Sequence, residues 1–160
     1  MARRIMNSGL FSMNKNFSIP TFIINRTASS NIAINSLKIL GVGAGTKPIE
    51  KMQKTLTEKG YNNIKLLGLY NTKESDQKLL AALKKKQWDA VTIGSYVNGF
   101  DQAAHYQEEG VSTDRTDILL WFNRVLNLVH ESAPKSKIVL LKGPHDFHDA
   151  IQRIMGAEQK

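Results

Sequence analysis

Lys38-Ile39-Leu40-Gly41-Val42-Gly43-Ala44-Gly45-Thr46-Lys47-Pro48 is the stretch that decides the fold. Its first half is a short apolar run ending in glycines, the pattern of a strand buried on both faces. Its second half is a glycine-rich turn ending in Pro48, and proline suits the first turn of a helix, where its missing N–H would have had no partner anyway. Ile49, Met52 and Leu56 then recur at helical spacing, and Gly60 supplies the C-terminal stop. A buried strand that passes through glycines into an amphipathic helix is the opening unit of a parallel α/β sheet.

The same unit recurs along the chain. Ile64-Lys65-Leu66-Leu67 reads as a second strand, and Thr72 caps a helix with Glu74 in its first turn and Leu79, Leu80 and Leu83 on its buried face. Trp88-Asp89-Ala90-Val91-Thr92-Ile93-Gly94 reads as a third strand, followed by a long loop to about Thr113. Thr113 or Asp114 caps the most strongly patterned helix, with Ile118, Trp121, Phe122, Val125, Leu128 and Val129 on one face and its end before Pro134. Lys137-Ile138-Val139-Leu140-Leu141 is a fourth strand, and a last helix starts near Asp146 and buries Ala150, Ile151 and Ile154. Strands apolar on both faces, alternating with helices, predict a parallel sheet between two helical layers with right-handed crossovers. The expected fold is a flavodoxin-like or Rossmann-like α/β three-layer sandwich over residues 37–157, its four strands in the order 2-1-3-4.

The residues ahead of this domain differ in kind. No Asp or Glu precedes Glu50, although the chain of 160 residues holds 14 acids. Met6, Leu10, Met13 and Phe17 share one helical face, with Arg4 and Lys15 roughly opposite, and Ser and Asn fill the spaces. A basic, acid-free amphipathic segment has the physical character of a mitochondrial presequence; a disordered polar tail is the plainer alternative for residues 1–36. No apolar run approaches the ~20 residues that span a bilayer.

The formal charge of +8 invites a nucleic-acid reading, but residues 1–36 contribute four basic residues and no acid, leaving 18 basic against 14 acidic residues in the domain. The densest basic run, Lys84-Lys85-Lys86, falls where a helix ends, and cations there complement the helix dipole. Nucleic acid is therefore a disfavoured partner. With no cysteine in the chain, disulfides, thiolate metal sites and thiol redox chemistry are excluded.

In open parallel sheets a ligand binds beyond the carboxyl ends of the strands, where the strand order reverses. That point lies between the loop at 41–47 and the loop at 94–113, so Gly43, Ala44, Gly45, Thr46, Gly94, Ser95, Tyr96 and Asn98 are the candidate ligand-binding residues. Glycines admit a phosphate to the backbone, and a helix start supplies N–H donors; a tight structural turn explains the same glycines. The spacing GxGxG departs from a dinucleotide fingerprint, and Tyr70-Asn71 offers no acid for a ribose. Tyr96 and Phe100 could flank a flavin, but the first loop lacks the hydroxyl cluster of a flavodoxin phosphate loop. Asp101 and His105, on the long loop, are the weak acid–base candidates. In the run His145 to Asp149, helix capping by Asp146 is preferred to a metal site.

WDAVTIG at 88–94, WFNRVLNLVHESAP at 121–134 and PHDFHDAIQRIM at 144–155 resemble a bacterial and fungal family of small Rossmann-like proteins of unknown function. The resemblance covers about residues 55–155 and is carried by Ile93-Gly94, Phe122, Leu126-Asn127, His130, Ala133-Pro134, Pro144, Asp146 and Ala150 to Arg153. It implies the fold and no activity. Ser95-Tyr96-Val97-Asn98 replaces that family's Gly-Val-Arg turn, and Asn123 stands where an acid is usual.

These features lead to the expectation of a mitochondrial matrix protein that binds a small ligand or a protein partner, with no cofactor specified and no catalytic signature. An enzyme acting on a phosphorylated or carboxylated metabolite, and an accessory subunit of a mitochondrial complex, are the alternatives. If the N-terminal segment is a presequence, mass spectrometry of the endogenous protein will find a mature N-terminus between Arg26 and Ser36; an intact Met1 or Ala2 would contradict the reading.

Overall fold

The structure is a computed structural model that describes residues 33–100 and 110–156. The amphipathic segment expected near the N-terminus, with Asp101 and His105, lies outside the described residues.

Four strands, β1 (Ile39–Ala44), β2 (Ile64–Leu69), β3 (Ala90–Ile93) and β4 (Lys137–Leu140), form one parallel sheet in the order β2-β1-β3-β4. They alternate with the helices α1 (Lys47–Glu58), α2 (Lys73–Lys85), α3 (Arg115–Ser132) and α4 (Phe147–Met155). This is the expected three-layer α/β fold and strand order. The handedness of the crossovers explains which helix lies on which face. The step from β1 to β2 runs one way across the sheet, whereas those from β2 to β3 and from β3 to β4 run the other. Accordingly α2 and α3 cover one face, over a core of Leu40, Val42, Leu79, Trp88, Val91, Trp121 and Val125. On the opposite face Ile39, Ile64, Val139, Ala150 and Ile151 are buried, with Leu56 of α1 packed against them. Ile34, in a 3-10 turn (Ile34–Ser36) ahead of β1, is buried in this second core.

β1 is the central element, and all six of its residues are buried. It extends two residues beyond Val42, because its parallel register with β2 continues through Gly43↔Gly68 and Ala44↔Leu69. Gly41 and Gly43 lie in the strand, as the apolar run at 38–43 predicts; Ala44, expected in the following loop, belongs to it as well, and only Gly45 and Thr46 turn into α1. The two strand glycines make room for neighbouring side chains. A Cβ on Gly41 would stand 2.4 Å from Cδ2 of Leu66, and one on Gly43 would stand 2.2 Å from Cδ1 of Ile49 in α1. Ile49, Met52 and Leu56 form the expected stripe of α1 and are half-buried.

The two edges of the sheet are finished differently. Ile39 donates its N–H to Asn63 O, so Ile64 and Leu66 point their backbone groups away from β1. Gln53 of α1 meets them as a strand would: Nε2 donates to Ile64 O at 3.2 Å, and Oε1 accepts the Leu66 N–H at 2.6 Å. This covers part of an edge that would otherwise be open to another chain. At the β4 edge, Asp146 accepts the Lys142 N–H at 3.0 Å and is clamped by the Arg153 guanidinium at 3.0 and 3.1 Å. The Arg153 hydrogen bonds hold the Asp146 carboxyl below its ordinary pKa.

The sequence pattern places Asp146 at the cap of the last helix. It does hold the N-cap position of α4, at the end of a 3-10 turn (Pro144–Asp146), but its side chain makes no cap bond there. Ile154, expected to be buried, is 40% exposed, since α4 packs on the edge strand β4 and part of its apolar stripe overhangs the sheet. Thr72 and Asp114 do cap α2 and α3, accepting from the N–H groups of Ser75 and Asp117. Arg124 of α3 ties the two helices together, reaching Asp76 at 2.8 Å and Asn71 at 2.6 Å.

Candidate functional site

The strand order reverses at β1, so the site is built from the turns that leave the carboxyl ends of β1, β2 and β3. The first turn is pressed onto β2. The Gly45 N–H donates to Leu69 O at 2.8 Å, and Gly45 takes φ 71°, in the left-handed region that favours glycine. A Cβ on Gly68 would stand 2.1 Å from the Gly45 carbonyl oxygen and 2.9 Å from Cα of Thr46. Thr46 occupies the N-cap position of α1, yet its hydroxyl caps nothing there. It lies 2.8 Å from the hydroxyl of Tyr70, the residue just beyond β2. Tyr70 is placed in turn by its own N–H, which donates to the buried Ser75 hydroxyl at 2.9 Å.

The turn after β3 folds into itself. Asn98 N–H returns to Gly94 O at 3.1 Å, Gly99 N–H to Tyr96 O at 3.2 Å and Phe100 N–H to Ser95 O at 2.9 Å. The Asn98 amide donates to Ile93 O at 3.1 Å and to Leu141 O at 2.8 Å, tying the ends of β3 and β4 together. Its Oδ1 accepts the Phe100 N–H at 3.0 Å. Ser95 and Tyr96 are buried, and Val97 is in the core. The Tyr96 hydroxyl donates to Ser112 O, and burial pushes its phenol above the ordinary pKa. Tyr96 is thus a core residue and not a face presented to a flavin, whereas Phe100 is 62% exposed. Gly94 donates its N–H to Val42 O at 2.8 Å, and a Cβ there would stand 3.1 Å from that oxygen.

The long loop comes back into the described residues at Gly110, where a Cβ would lie 3.4 Å from the Tyr70 ring. Val111 then packs on the larger core. Ser112 donates its hydroxyl to Asp117 at 3.0 Å and accepts the Asp114 N–H at 3.1 Å. The returning strand of the loop therefore runs beside the Thr46–Tyr70 pair.

Of the sequence-derived candidates, Gly43 meets Gly94 at the β1–β3 boundary, whereas Gly45 and Thr46 lie against the end of β2. Ser95, Tyr96 and Asn98 face inward and hold the scaffold. Tyr70 is not among those candidates; its partner Thr46 is 24 residues away, and local pattern carries no signal for such a pairing. What faces the carboxyl edge is a hydroxyl pair beside a helix start with no side-chain cap and with Pro48 in its first turn. Donors of this kind suit an oxygen-rich or anionic group. Among the described residues, no three His, Asp or Glu side chains come together as a metal site would require. His148 lies 3.6 Å from Asp149, with both side chains exposed. One buried donor has no partner among the described residues, Nε1 of Trp121.

Replacing Asn98 with Ala leaves the Ile93 and Leu141 carbonyls without this donor and will cost about 1–3 kcal/mol in urea unfolding. Phe100→Ala, at an exposed position, will change stability by less than about 0.5 kcal/mol. An unchanged urea midpoint for Asn98→Ala would return Asn98 to the ligand-contact role that its position in the sequence suggests. Family models, curated proteins and solved structures include no match to this chain.

Proposed function

We propose that this domain binds a small molecule carrying a carboxylate or phosphate group at the carboxyl edge of its sheet, and that it works in the mitochondrial matrix. The observation that carries the reading is the orientation of Thr46. A threonine at an N-cap ordinarily accepts from the helix's own N–H groups, but this one pairs with the Tyr70 hydroxyl. Thr46 makes no side-chain cap bond to the first turn of α1, and that turn stands next to two hydroxyls at the place where α/β sheets receive ligands. The ligand sits against Thr46, Tyr70 and the start of α1, with the Gly110 stretch beside it.

The matrix location rests on the acid-free basic segment before the domain. Burial of Ile34 favours processing upstream of that residue, since a later cut would remove a core side chain.

A second reading, an accessory subunit of a mitochondrial complex, draws support from the β4 edge. Lys137 and Leu141 donate their N–H groups toward β3, so the backbone groups of Ile138 and Leu140 face outward. Leu140 is 47% exposed and Leu119 of α3 is 63% exposed.

Thermal-shift measurements with inorganic phosphate, dicarboxylates, nucleotides and FMN distinguish these readings. Binding to the native state raises the melting temperature, and the ligand reading expects a rise with at least one phosphate- or carboxylate-bearing compound. Thr46→Val and Tyr70→Phe will abolish that rise while keeping a cooperative melt. Melting unchanged across the panel, together with co-migration of the endogenous protein in a large complex, would overturn the ligand reading in favour of the subunit.

A further inference from the structure

In a parallel sheet with antiparallel helices, the helix C-termini gather at the amino ends of the strands. α2 ends at Lys85 and α3 at Ser132, and between these ends lies a groove of about 350 Å³. Leu83, Trp88 and Pro134 form its apolar part, and Lys84, Lys86 and Lys135 stand around it with no acid in the lining.

Helix-dipole compensation explains Lys84, in the last turn of α2. It does not explain the other two lysines. Lys86 has left the helix for extended backbone, at φ −158° and ψ 163°, and its ammonium stands 4.2 Å from the centre of the Trp88 ring. Lys135 arrives from the turn after α3. The adjacent acid, Asp89, accepts the Lys38 N–H at 2.7 Å. The floor is fixed in advance, because Trp88 is buried and its indole N–H donates to Ala82 O at 3.0 Å. Three cations from two segments, the end of α2 and the turn after α3, thus converge on one preformed groove.

We infer that this groove docks an acidic segment of a partner protein, with an apolar side chain against Ala133 and Pro134 and carboxylates reaching Lys84, Lys86 and Lys135. Charge complementarity selects the partner. A nucleic acid fits less well. The lysines ring a short pocket instead of following a backbone track, and Trp88 is too deeply buried to stack on a base. The site lies at the opposite edge of the sheet from the proposed ligand site and stands or falls independently of it.

The test uses the full chain and a fluorescein-labelled peptide of glutamates around a single leucine, read by fluorescence anisotropy. The triple variant Lys84→Glu, Lys86→Glu, Lys135→Glu changes exposed side chains and is checked for an unaltered melt. A charge-matched control, Lys51→Glu, Lys65→Glu, Lys78→Glu, makes the same change in net charge elsewhere on the exposed surface. The groove variant will weaken peptide binding by about tenfold or more, while the control stays within about twofold of the parent chain. Replacing the central leucine with serine will weaken binding to the parent chain. Equal losses in the two variants would overturn the inference, because the binding would then follow net charge alone. A labelled single-stranded oligonucleotide that binds the parent chain more tightly than the peptide would overturn it in favour of nucleic acid. No measurable binding of the peptide would also overturn it.

Discussion

The structure depends on backbone being allowed to approach backbone and side chain where no Cβ intervenes. At Gly41 and Gly43 the central strand is flat enough for Leu66 and Ile49 to lie against it, and at Gly68 the second strand is flat enough for the Gly45–Thr46 turn to fold over it. A Cβ at any of the three would come within 2.4 Å of a neighbouring atom. The first two contacts are with the ends of side chains, which can move. The third is with the main chain of the turn, which is held by its own hydrogen bond to Leu69.

The position of α1, and with it most of the carboxyl edge, follows from that third contact. With the turn pressed on β2, Thr46 comes within reach of Tyr70, and its hydroxyl is drawn from the helix start to the neighbouring strand end. The same placement carries Gln53 to the outer edge of β2, where one amide occupies both an outward carbonyl and an outward N–H. On the far side of the sheet, Asn98 plays the equivalent part for β3 and β4. The scaffold thus uses two side-chain amides and the carboxylates of Asp89 and Asp146 to satisfy strand ends and edges. One end of the sheet is left with donors and the other with lysines.

The fold was legible because the strands are largely apolar and each helix carries a 3.6-residue stripe; the order of strands followed from the flavodoxin-like arrangement common to such sheets. β1 was legible as far as Gly43; its last residue, Ala44, and the different roles of the glycines were not. Gly41, Gly43 and Gly45 look alike in a sequence, yet the first two are strand positions packed against Leu66 and Ile49, and only Gly45 needs a positive φ. Ser95, Tyr96 and Asn98 looked like loop residues at a binding edge because nothing local says that the turn closes on itself. Ile154 obeyed the helical period, and its exposure reflects where the sheet stops, which the helix's own sequence does not encode. The Thr46–Tyr70 pairing depends on register between β1 and β2, a property of the assembled sheet.

Glycine at 68 admits the backbone of the β1–α1 turn, and the sign of one stability change decides whether it is needed there. In extended backbone, Gly→Ala with room for the methyl stabilises, by roughly 0.5–1 kcal/mol through lost freedom of the unfolded chain. Gly143, extended and with nothing within 4 Å of where a Cβ would stand, supplies that reference. For Gly68→Ala the expected outcome is a loss of about 1–3 kcal/mol in urea unfolding, from a methyl forced against main chain. A Gly68→Ala variant as stable as the parent chain, or more stable, would contradict it.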